Sequence, residues 1–212
     1  MRPITLGPFT PAIASETAFN AQGFTSDGAA VAPTVTETTD GLAHLVTMTA
    51  PDQDSLAGVD FTIVGTSADG HALTDVLAGP AGLATVTSTN LFKTITTIQP
   101  SEDMGALTLS IGIDATAMSP TIALTNSVAA AGMTVAVTGT INYTMYETFC
   151  NVYEQNPSST DVSTAILALT SKDATTSANS SVSATGVLLV VNSFSEGATF
   201  TVYLNQSSAG LA

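Results

Sequence analysis

Cations are nearly absent from this chain. Arg2, Lys93 and Lys172 stand against seventeen acidic residues in 212, for a formal charge of −14. Nothing here can form the basic footprint that a phosphate backbone requires, so no nucleic-acid partner is expected. A single cysteine, Cys150, excludes an internal disulfide framework and a multi-cysteine metal site. No apolar run approaches the roughly 20 residues of a membrane-spanning helix, and no membrane association is expected. The opening residues, Met1-Arg2-Pro3-Ile4-Thr5-Leu6-Gly7-Pro8, carry one cation but no apolar core, so a signal peptide is not expected either. The sequons at Asn142, Asn179 and Asn205 then read as products of Ser/Thr richness. Tryptophan is missing and only four tyrosines are present, which leaves few of the aromatic platforms on which sugar sites rest.

What fills the chain instead is hydroxyl and aliphatic side chains. Serine and threonine number 57, charged residues make up 9%, and 44% is hydrophobic, enough for a sizeable core. Period-two alternation of β-branched residues dominates and predicts strands. The segments are Leu42–Thr49, Val59–Thr66, Ala72–Ala78, Phe92–Ile98 and Leu107–Ile113, then Thr121–Thr125, Met133–Tyr146, Thr164–Leu169, Thr185–Val191 and Thr199–Asn205. Asp69-Gly70, between two alternating runs, is the strongest hairpin signal. In Met133–Tyr146, Val135, Val137, Ile141, Tyr143 and Met145 share one face, with Gly139 marking a bulge or bend. Asn156–Asp161 and Lys172–Ser183 read as loops. Ser127–Gly132 and Thr148–Gln155 can each hold at most a turn or two of helix. The expectation is an all-β protein of two antiparallel β-sandwich domains, jelly-roll or Ig-like, at residues 30–116 and 117–212. Residues 1–29 read as an extended N-terminal arm or a first strand.

Chemistry has little to work with. His44 and His71 are the only histidines. His71 lies near Asp69 and Asp75, so a Ser–His–Asp grouping is conceivable, but no Gly-x-Ser-x-Gly elbow accompanies it. His44 sits in an alternating strand and reads as a ladder or rim residue. Glu147 and Glu154 flank Phe149 and Tyr153, the one acid–aromatic cluster, whose plainer reading is a strand end. Asp52, Asp54 and Asp60 form an acidic loop that could offer oxygens to calcium, but without EF-hand spacing. Cys150 reads as a small buried hydrophobe with no cationic neighbour in sequence. The reading is therefore not an enzyme, with no catalytic, cofactor-binding or metal-binding residue assigned. A weakly charged, threonine-rich β-protein instead suits assembly, because its surfaces cost little to desolvate.

Two stretches carry a resemblance. Gly58–Thr66, Ala68-Asp69-Gly70, Leu77–Pro80, Thr87-Ser88-Thr89 and Phe92–Ile98 together resemble a module common in structural proteins of tailed bacteriophages. Val135–Phe149 resembles another phage virion module, one that often opens with a start like Met1-Arg2-Pro3-Ile4. That module typically continues into acidic residues after Thr-Phe, whereas here Cys150-Asn151 follow. If the Met1 start belongs with the C-terminal module, residues of about 25–116 form an inserted domain. The resemblance implies a virion protein, assembled in the host cytoplasm. Its first reading is a head cement or decoration protein that bridges major capsid subunits. A tail, collar or head-to-tail connector protein is the alternative, with a receptor- or glycan-binding role placed on Tyr143–Tyr153. The implied partners are the major capsid protein or other virion proteins, and further copies of the chain in a homo-oligomer.

Overall fold

A computed structural model describes residues 2–51, 55–124, 131–153, 163–181 and 184–206. Strands dominate these residues, and every strand pairing resolved in register is antiparallel. The protein is all-β. The chain divides into two compact units, Met1–Pro11 with Met118–Ala212, and Ala12–Ala117. The second unit is thus inserted into the chain of the first. Residues 2–9 and 15–24, within the segment read as an arm or first strand, form strands in different units.

The discontinuous unit holds one sheet in the order β1 (Arg2–Phe9), β15 (Thr199–Gln206), β10 (Gly132–Thr138) and β13 (Thr176–Asn179). Its other strands run β12 (Ser163–Ala165), β11 (Ile141–Thr148) and β14 (Gly186–Phe194), with β9 (Ile122–Ala123) also on β14. Burial alternates along β15, where Phe200, Val202 and Leu204 are buried and Tyr203 and Asn205 exposed. Met133, Val135, Ile141, Tyr143, Met145, Val187, Leu189 and Val191 belong to the same unit's buried set. The run read as one strand over Met133–Tyr146 is two. The chain leaves one sheet at Thr138, turns through Gly139 and joins another sheet at Ile141. Gly139 has φ of +80°, which side chains rarely tolerate, so glycine permits the crossing.

The inserted unit pairs β2 (Ser15–Phe24) with β8 (Leu109–Met118), continuing through β3 (Ala43–Thr49) to β6 (Thr85–Phe92). A separate sheet runs β5 (Ala72–Ala78), β4 (Asp60–Thr66) and β7 (Thr94–Pro100). The Asp69-Gly70 hairpin is present between β4 and β5, closed by Ser67 N–H to the His71 carbonyl at 2.9 Å. The apolar run Phe92–Ile98 also divides, because the chain changes sheets at Lys93. Phe19, Val46, Met48, Phe61, Ile63, Phe92, Ile95, Ile98, Leu109 and Ile111 form one buried cluster. A β-carbon on Gly112 would overlap the carbonyl oxygen of Ser15, so β2 and β8 lie closer than any other residue allows.

Candidate functional site

Three of the titratable side chains weighed from the sequence, His44, Asp75 and Glu147, are engaged in hydrogen bonds within their own unit. His44, on β3, is fully buried. Its Nε2 lies 2.8 Å from Asp40 Oδ2 and its Nδ1 lies 3.0 Å from the Asp114 carbonyl. Both ring nitrogens are thus engaged inside the unit. Asp40 also accepts the backbone N–H of Ala12 at 2.7 Å and of Leu42 at 3.0 Å. The pair therefore ties Ala12, the first residue of the inserted unit, to Asp114 on its last strand. The strand assignment for His44 holds, but it lies in the interior and not at a rim.

Burial alone would raise the Asp40 pKa. The His44 hydrogen bond and charge, with the Ala12 and Leu42 N–H groups, outweigh that and hold the carboxyl below its ordinary 3.8. A carboxyl whose pKa is lower folded than unfolded stabilises the fold above its ordinary value. That contribution is lost as pH falls through the depressed value. Thermal midpoints for the inserted unit should thus decline as pH drops below about 4. Asp40→Asn should flatten this component of the decline, measured by calorimetry across a pH series.

Asp75 is engaged within the same unit. Its Oδ2 accepts Thr89 N–H at 2.7 Å, Thr89 Oγ1–H at 2.9 Å and Asn90 N–H at 3.0 Å, joining β5 to β6. Four residues along an extended chain separate Asp75 from His71 by roughly 13 Å. The structure thus does not assemble these two into a relay. Asp60 is exposed at the start of β4 and donates its N–H to Ser101 Oγ at 3.0 Å. Asp52 and Asp54 lie outside the described residues, as does Glu154. Among the described residues no three His, Cys, Asp or Glu side chains gather in a metal-holding group.

In the discontinuous unit, Glu147 is buried and accepts both the N–H and the hydroxyl of Ser181 at 2.7 Å. Tyr143 is also buried, so it cannot serve in the exposed contact imagined for Tyr143–Tyr153. Its hydroxyl donates to the Ala174 carbonyl at 3.0 Å. Burial raises its pKa; the Thr176 hydrogen bond opposes this and the Asp173 charge adds to it. Phe149 and Tyr153 do reach solvent, at 46% and 81% exposure. Cys150 is buried between them in sequence, its Sγ 3.1 Å from Thr148 Oγ1.

Those two rings border an open cleft of about 800 Å³, whose other walls include Ile4 and Leu6 of β1 with Ile122 and Leu124. Among the described residues no charged side chain lines it. Strand β1 ends its sheet, with one side unpaired among the described residues. The cleft thus sets aliphatic side chains and two exposed rings beside an open sheet edge, with the Cys150 thiol and the Thr5, Thr121 and Thr185 hydroxyls among its lining groups. The second uncharged concavity, about 380 Å³, lies across the four-stranded sheet and includes Tyr203. Sequence reading missed this one, because its side chains come from four strands distant in sequence. The alternation that exposes Tyr203 and Asn205 was the available signal. No protein-family model, curated protein or solved structure matches the chain.

Proposed function

We propose that this chain is a structural component of a tailed-phage particle, a head decoration or cement protein that bridges major capsid subunits. The observation that carries this reading is the uncharged cleft bounded by β1, Phe149 and Tyr153. Exposed rings beside an open strand edge are costly on a free monomer and useful under a neighbouring subunit. The resemblance of Val135–Phe149 to a virion module points to the same setting. A homo-oligomer seated on the capsid lattice, in the virion, is the corresponding assembly. Each unit is taken as an antiparallel sandwich, jelly-roll or Ig-like, a reading supported by alternating burial along strands such as β15 and β4.

Protein stoichiometry on purified particles tests the proposal. On the order of hundreds of copies per particle fits a lattice-wide cement. About five to twelve copies would move the protein to the portal, collar or tail, and absence from particles would overturn the reading. Replacing Phe149 and Tyr153 together by Asp should lower occupancy about tenfold, equivalent to roughly 1.4 kcal/mol of docking energy. Wild-type occupancy in that variant would remove the cleft from the interface.

A further inference from the structure

The outward face of the β1-β15-β10-β13 sheet is built from two rungs whose register is fixed by strand pairing. Thr5 lies opposite Tyr203, Tyr203 opposite Thr134, and Thr134 opposite Ser177. On the next rung Pro3 lies opposite Asn205, Asn205 opposite Gly132, and Gly132 opposite Asn179. The first rung thus centres on an aromatic ring among hydroxyls. The second sets two amides on either side of a glycine.

Gly132 is the reason the surface is concave. An added β-carbon there would meet Asn179 Oδ1 at 3.7 Å and the Asn205 carbonyl at 3.9 Å, ordinary contact distances. The residue thus leaves a notch that a side chain could fill without forcing the backbone. Tyr203 is 47% exposed beside this notch. No side-chain hydrogen bond joins Asn179, Asn205 or the Tyr203 hydroxyl to another described residue, so their donors and acceptors face outward unspent. Thr134 Oγ1 and Ser177 Oγ bond each other at 2.8 Å and firm up the adjoining rung. Although the chain carries a charge of −14, none of the described residues lining this depression is charged.

We propose that this face binds a neutral polysaccharide, with Tyr203 as the stacking platform and Asn179 and Asn205 gripping hydroxyls on either side of the Gly132 notch. A pyranose ring presents an apolar C–H face and a rim of hydroxyls, each both donor and acceptor. An exposed tyrosine ring accepts the first, and a carboxamide, with one acceptor oxygen and two donor hydrogens, matches the second. Four strands at their usual spacing span roughly 14 Å, which suits an oligosaccharide stretch better than a single sugar. The absence of charge selects the class of ligand, since an anionic glycan or a phosphate would find no counter-ion here. A protein partner is a poorer fit, because a stable protein contact centres on packed apolar anchors and this face has one ring among polar groups. The site does not depend on the particle assignment and would exist on a protein of any location.

The test is calorimetric titration of the full chain with cellohexaose, maltohexaose and chitohexaose, alongside anionic polygalacturonate. Tyrosine emission is followed in parallel, since the chain has no tryptophan to mask it. At least one neutral hexasaccharide should bind and perturb the emission, and polygalacturonate should not. Tyr203→Ala and Gly132→Val should each weaken binding at least tenfold with an unchanged thermal midpoint, while Tyr153→Ala should leave it intact. Failure of all three neutral probes would overturn the proposal. So would binding indifferent to Tyr203→Ala, or light scattering that shows this face joining two copies of the chain.

Discussion

His44→Ala should destabilise the inserted unit by about 2–5 kcal/mol, because it empties a fully buried ring site and takes the hydrogen-bond partner from Asp40 and from the Asp114 carbonyl. The loss has two sources. Asp40 keeps its two backbone N–H donors but loses the ring that partners it in the interior, and the Asp114 carbonyl loses its ring contact. Asp40→Asn is the informative comparison. It preserves shape and allows the amide to bond the ring, so a smaller cost of about 1–2 kcal/mol is expected. Urea titration, read through amide exchange of β3 and β8, separates the two variants. Equal costs would mean that the Asp40 carboxylate contributes nothing beyond what its amide replacement supplies.

Gly112→Ala should be at least as damaging, by about 3 kcal/mol or more, although it adds one methyl group. The new carbon would overlap the Ser15 carbonyl and approach Glu16 Cα to 2.5 Å, and both are backbone atoms of the paired strand. No rotamer change relieves a clash with backbone. Strand β2 would have to lift from β8, taking the buried Phe19 and Phe24 out of the core. Gly58→Ala gives the control, because a β-carbon there meets nothing within 4 Å. A stable Gly112→Ala protein with native exchange rates along β2 would show that the two strands can separate without loss.

How much of this was legible beforehand depended on whether a feature is local. Strand β5 and its hairpin follow from alternation and one Asp-Gly, both within a few residues. Strand β13, Thr-Ser-Ala-Asn, was read as loop because it contains nothing larger than alanine to bury. Pairing with β10 makes it a strand. Strand β2 shows no alternation, and its register against β8 shifts twice, so its pattern carries no period to detect. Strand β6, rich in threonine and asparagine, is held by β3 and by the Asp75 carboxylate. The two sheet changes at Gly139 and Lys93 were hidden for the opposite reason, since apolar alternation continues across each corner.

The same division governs the sites. His44 was placed in a strand correctly, but its partnership with Asp114 spans 70 residues and leaves no local trace. The Tyr203 face needs the register of four strands at once, and alternation supplies the direction of each side chain but not its neighbours. Tyr143 stood out among the sparse aromatics, yet it is spent on the interior.

The inserted arrangement also dictates an order of events during synthesis. Strand β1 leaves the ribosome before the inserted unit, whereas its partner β15 follows that unit by about 80 residues. For most of translation β1 has no sheet to join. The inserted unit, by contrast, is complete once β8 emerges, and its closure sets Ser15 beside Ile113. That contact cuts the loop still to be closed between β1 and β15 by roughly half, which lowers the entropic cost modestly because that cost grows only with the logarithm of length. The nascent inserted unit thus acts as a folding bracket for β1 and β15. A circular permutant that leads β15 directly into β1 and opens the chain between the units should free β1 from its wait.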